Sequence, residues 1–115
     1  LNKSVIDCSL FKKKHQNILK IYFPLISNIY ISEAGGGQFF GLYSEKFFLI
    51  NFFPPFKYYD SSQVLLKNVY DNSLKRMLFD EEKYEKLFGV TVPDTRYFIE
   101  ENKSNEILDF IKRKL

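Results

Sequence analysis

The chain has 115 residues, 45% apolar and 18% aromatic, with a formal net charge of +3. That length suits one domain with one core, and the apolar fraction excludes wholesale disorder. The charge is too small to argue for nucleic acid, and the lone Cys8 excludes an internal disulfide or a cysteine zinc site.

The charge is unevenly spread. Residues 1–59 carry a net +4 and residues 60–115 a net −1. Positive potential in the first half favours an anionic ligand there, weakly. The single His15 has no second histidine or carboxylate cluster for a metal site and reads as a solvated histidine near a helix end. No apolar run is long enough for a membrane helix, and no signal-peptide pattern is present. The start at Leu1 rather than Met suggests that an upstream part is missing.

In chain order, Val5-Ile6-Asp7 reads as a short strand with Cys8 at its buried end. Lys12-Lys13-Lys14 is a charged turn or helix start. From His15 to Ile26, apolar residues fall at Ile18, Leu19, Tyr22, Phe23, Leu25 and Ile26, a helical spacing. Pro24 removes one backbone donor and should kink or split this helix. Asn28 to Ser32 is a strand rich in β-branched and aromatic residues. Gly35-Gly36-Gly37 ends it, and Gln38 to Tyr43 forms a short helix.

Phe47 to Phe52 is a near-continuous apolar run, suited to a central parallel strand buried on both faces. Pro54-Pro55 stops it. Val64 to Val69 is a further strand. Asp80 caps a helix from Glu81 to Phe88, with Glu81 and Glu82 in its first turn and Gly89 at its end. Tyr97 to Glu100 is a strand. Ser104 caps a last helix, Asn105 to Lys114, with Ile107, Leu108 and Ile111 as its apolar stripe. Lys112, Arg113 and Lys114 suit its negative end. This alternation predicts an α/β fold, a mostly parallel sheet with helices on both faces, as one domain over residues 1–115.

Ligands of such sheets bind beyond the carboxyl ends of the strands, where the turn from Ser32 to Gln38 lies. Three glycines strip it of Cβ atoms, so the backbone can take positive φ and approach a ligand. The N–H groups that open the next helix are unpaired and favour a phosphate or carboxylate. Ser32 and Gln38 add side-chain hydrogen bonds. Glu33 would repel a diphosphate, so it reads as pointing to a sugar hydroxyl or a backbone amide. No Gly-Lys-Ser/Thr follows, so this is not a Walker A loop.

The succession of motifs resembles the C-terminal, nucleotide-sugar-binding domain of GT-B-type bacterial glycosyltransferases. Ile29 to Gly36 stands where that family has a strand ending in Ser-Gly. Lys46 to Pro54 is similar to its next strand, which ends in Asn and Pro. Glu101-Asn102-Lys103-Ser104-Asn105-Glu106-Ile107 is similar to its "eNtpeEI" helix start. Glu33 and Ala34 interrupt the Ser-Gly dipeptide here.

The resemblance implies a Rossmann-like three-layer domain, one half of a longer two-domain cytoplasmic enzyme with a place at the inner membrane face. It implies a nucleotide-sugar donor bound by Ser32, Glu33, Gly35, Gly36, Gly37, Gln38, Asn51 and Pro54, with its diphosphate on the N–H groups of Gly35, Gly36, Gly37 and Gln38. No metal or other cofactor, no nucleic acid and no transmembrane segment is expected. The acceptor is a glycan or another hydroxyl compound brought by the missing domain. Asp7, Glu33 and Glu100 are candidates for a catalytic base, and none declares itself. A non-catalytic nucleotide- or glycan-binding module and a sugar-nucleotide epimerase-like enzyme are the alternatives.

Overall fold

A computed structural model of the chain describes residues 5–33, 41, 43–53, 63–87 and 95–115. A short 3-10 helix, Cys8–Leu10, leads into α1, Lys13–Ile26. Then follow β1 (Ile29–Glu33), β2 (Lys46–Phe52), β3 (Val64–Leu66), β4 (Asn68–Asp71) and β5 (Arg76–Met77). The chain closes with α2 (Asp80–Leu87), β6 (Tyr97–Glu100) and α3 (Ser104–Lys114). The class is mixed α/β, with two sheets of three strands: a parallel one in the order β1-β2-β3 and an antiparallel one in the order β5-β4-β6.

The apolar run from Phe47 becomes the middle strand of the parallel sheet, as its composition demands. Residues alternate between the two faces of a strand. Phe47 and Leu49 face a core shared with Val64 and Leu66, against which Tyr30 and Tyr84 pack. Phe48 faces the other way, edge-on to Phe110 of α3, with ring centroids 6.0 Å apart. Pairing with β3 then slips, because Leu49 stands opposite Val64 while Phe52 stands opposite Leu66. Three steps on β2 match two on β3, which is a β-bulge. The extra residue returns Phe52 to the face that holds Leu49.

The expected strand from Val64 to Val69 is two strands. It breaks at Lys67, whose N–H donates to the Phe52 carbonyl at 2.9 Å, and β4 then enters the antiparallel sheet. That sheet has its own core of Val69, Leu78 and Leu87. Its hairpin is organised by Asp71, which is wholly buried and accepts from the N–H groups of Ser73 (2.8 Å) and Leu74 (3.2 Å). This is the local mimicry by which Asp makes turns. Arg96 clamps the same carboxylate with Nε at 3.2 Å and Nη2 at 3.0 Å. Lys75 completes the turn with φ of 56°.

Several expectations are corrected. Val5-Ile6-Asp7 is not a strand; these residues are exposed, and Asp7 caps the 3-10 helix, which includes Cys8. Pro24 does not split α1, which runs on to Ile26. It lies near the helix end, so only the bond to the carbonyl four residues earlier is lost. Asp80 is the first residue of α2 rather than its cap; Glu82 instead accepts from the Phe79 N–H at 3.2 Å. Ser104 likewise begins α3, and Glu106 reaches back to the Lys103 N–H at 2.6 Å. Phe110, not Leu108, is the buried residue of α3. The short helix Gln38–Tyr43 lies outside the described residues apart from Gly41 and Tyr43, and Phe88 and Gly89 lie outside them entirely.

Candidate functional site

The carboxyl ends of β1, β2 and β3 meet the loop that starts α3, and a polar network joins them. Asn51 sits in the bulge of β2 with φ of 49°. Asparagine is among the few residues with a side chain that visit this left-handed region readily. Its N–H is released from the ladder and donates to Asn102 Oδ1 at 2.9 Å. Asn102 returns the bond, its N–H donating to Asn51 Oδ1 at 2.6 Å. Asn102 Nδ2 also donates to the Leu66 carbonyl at 2.7 Å. Both asparagines are buried, so each such bond replaces one that water would otherwise make.

The network ends in a charge. Asn51 Nδ2 donates to Glu33 Oε1 at 2.7 Å. Glu33 is the last residue of β1 and is exposed, so the tethered carboxylate stays open to solvent. The hydroxyl of the neighbouring Ser32 donates to the Glu33 carbonyl at 2.9 Å. The rim therefore presents a fixed hydrogen-bond acceptor, held by two buried asparagines. Chemically it can bind hydroxyl or amide groups of a ligand.

Of the residues assigned from the sequence, Glu33 and Asn51 are brought into contact and Ser32 stands beside them. Gly35, Gly36, Gly37, Gln38 and Pro54 lie outside the described residues. Glu33 points to a side-chain amide where a sugar hydroxyl or a backbone amide was expected. Asp7 is committed elsewhere: Ser9 donates to it from its hydroxyl (2.6 Å) and its N–H (2.9 Å). Those bonds hold the Asp7 carboxyl below the usual carboxylate range, the hydroxyl bond most of all. Glu100 ends β6 in the other sheet, opposite Asn68.

Two residues, one at the rim and one near the amino ends of β1 and β2, carry more than the sequence suggested. Asn102 entered only as one letter of a helix-start motif, yet it is the centre of the network. The signal was an asparagine four residues before Glu106 in a strand-to-helix loop. Glu106 itself accepts from Asn68 Nδ2 at 3.1 and 3.0 Å and fixes α3 to β4. Gly41 is the second. It is buried, and a Cβ there would lie 2.6 Å from Tyr30 Cδ1 and closer still to the Phe47 ring. Only glycine lets the chain pass over that aromatic pair on its way from β1 to β2.

The chain matches no family model, no curated protein and no solved structure. Among the described residues, no helix is long and apolar enough to cross a membrane.

Proposed function

We propose that the chain is the donor-binding half of a GT-B-type glycosyltransferase. The observation that carries this reading is the Glu33–Asn51–Asn102 network, which lies at the carboxyl rim of the parallel sheet where α/β proteins bind ligands. In this reading the backbone N–H groups of Gly35, Gly36, Gly37 and Gln38 hold the donor diphosphate and stabilise it as it leaves. Ser32 and Pro54 border the donor, and Glu33 accepts from a sugar hydroxyl. The Rossmann-like, three-layer description belongs to the same proposal. Tyr84 of α2 and Phe110 of α3 meet opposite faces of the parallel sheet, which favours it. The acceptor, a cytoplasmic site of action and the second domain follow from the same resemblance.

The test is isothermal calorimetry of the chain with UDP, GDP and their sugars. Saturable heat with one nucleotide family supports the proposal. No heat with any of them, from folded protein, overturns it.

One observation favours a second reading, a module that binds a nucleotide or glycan without chemistry. Among the described residues, Asp7 is consumed by its turn and Glu100 lies in the other sheet, so of the three candidate bases only Glu33 stands at the rim. Donor binding without donor hydrolysis would select this module. Epimerised nucleotide sugar as the product would instead select an epimerase.

A further inference from the structure

A second concavity lies away from the rim, between the 3-10 helix, α1 and β1. It has a volume of about 560 Å³, within the range of small-molecule sites, roughly 300 to 1,000 Å³. Leu19 and Phe23 of α1, Tyr30 of β1 and the half-buried Cys8 supply its apolar walls. Tyr30 precedes Glu33 by three residues of β1, roughly 10 Å along an extended strand, so this space is distinct from the rim.

The polar groups around it divide into two kinds. Ser9 and Gln16 are committed to holding the walls together. The Ser9 hydroxyl donates to Asp7 at 2.6 Å, and Gln16 Nε2 donates to the carbonyls of Phe11 (2.6 Å) and Ser9 (3.3 Å). Among the described residues, Lys20 makes no ion pair or side-chain hydrogen bond, and no carboxylate lines the space, Asp7 standing just behind Ser9. Residues 8–32 contain four lysines, one histidine and no acid. The cavity therefore offers two aromatic rings, an aliphatic side chain and one uncommitted cation.

We propose that this cavity binds a small aromatic monoanion, its ring against Phe23 and Tyr30 and its carboxylate or sulfonate on Lys20. Rings of this kind pack offset or edge-on, and a single anion matches the single ammonium group. The inference does not rest on the glycosyltransferase reading.

Cys8 is the only thiol of the chain and lines the cavity, so it reports on occupancy. The probe is anilinonaphthalene sulfonate, added to the full chain, with N-phenylnaphthylamine as its uncharged counterpart. The proposal expects one bound sulfonate per chain, with slowed alkylation of Cys8 by iodoacetamide, read by mass spectrometry. Lys20→Gln should weaken the sulfonate about fivefold, the effect of a partly screened ion pair. It should leave the uncharged probe unchanged, and Lys20→Arg should restore sulfonate binding. Lys20 is exposed, so neither change threatens the fold. Bound sulfonate that leaves Cys8 alkylation at its unliganded rate overturns the proposal, because the dye then sits elsewhere. So does a Lys20→Gln chain that binds the sulfonate as tightly as before, or that loses both probes alike.

Discussion

Asn51 and Asn102 stand 51 residues apart in sequence and close each other's hydrogen bonds, the backbone N–H of each donating to the side-chain oxygen of the other. The pair joins the bulge of β2 to the start of α3. Asn102→Ala leaves the Asn51 N–H and the Leu66 carbonyl without their partners in a buried setting. It should destabilise the chain by about 2 to 4 kcal/mol. Urea unfolding checks this, and a double-mutant cycle with Asn51→Ala should return a coupling of about 1 to 2 kcal/mol. Additive effects would mean that the two side chains act separately.

Gly41 offers a sharper steric test. Gly41→Ala would drive a methyl group into the rings of Tyr30 and Phe47, whose centroids lie 5.9 Å apart. The expected cost is about 1 to 3 kcal/mol, the usual range for overpacking. Phe47→Leu in the same chain should recover part of it, seen as a rise in the urea midpoint over Gly41→Ala alone.

Acid should weaken the fold through two carboxylates. Asp71, clamped chiefly by the Arg96 hydrogen bonds, is lowered to about 2. Glu82 is also lowered to about 2, chiefly by Arg76, whose guanidinium lies 2.7 and 2.9 Å from its two oxygens. A carboxyl that is more acidic folded than unfolded stabilises above its unfolded value, near 4, and loses that contribution as pH falls toward 2. Stability against urea should therefore decline between about pH 4 and pH 2. Arg96→Gln and Arg76→Gln should each flatten part of that decline, and an unchanged slope in both would refute the assignment.

Glu33→Gln separates ligand binding from folding. The side chain is exposed and one amide can replace one carboxylate oxygen, so stability should shift by less than about 0.5 kcal/mol. Affinity for the nucleotide sugar that gives heat in calorimetry should fall roughly tenfold, the loss of one charged hydrogen bond. Equal affinity would remove Glu33 from the site.

Much of this was legible in the chain. The run from Phe47 announced a strand buried on both faces. The basic triplet at the end of α3 announced a helix terminus. What stayed hidden depends on distant partners. Nothing local to Val64–Val69 says that Lys67 changes sheets, because that break is made by pairing with Phe52 on one side and β6 on the other. The cap of α2 was misplaced because Asp80 and Glu82 are both acids near a helix start, and only Arg76 decides which one turns back. Asn51 is marked in the sequence only by its likeness to a strand that ends in Asn and Pro. Its bond to Asn102 joins residues 51 positions apart, which no local pattern reveals.

The bulge gives the core face and the rim separate requirements. Between Leu49 and Phe52 the second strand spends one residue more than its neighbour does between Val64 and Leu66. A chain with one residue deleted there would restore an even ladder and keep Phe52 on the same side as Leu49. It would lose the irregular position that frees the Asn51 backbone. A length difference of one residue at this point can thus erase the rim while sparing the core.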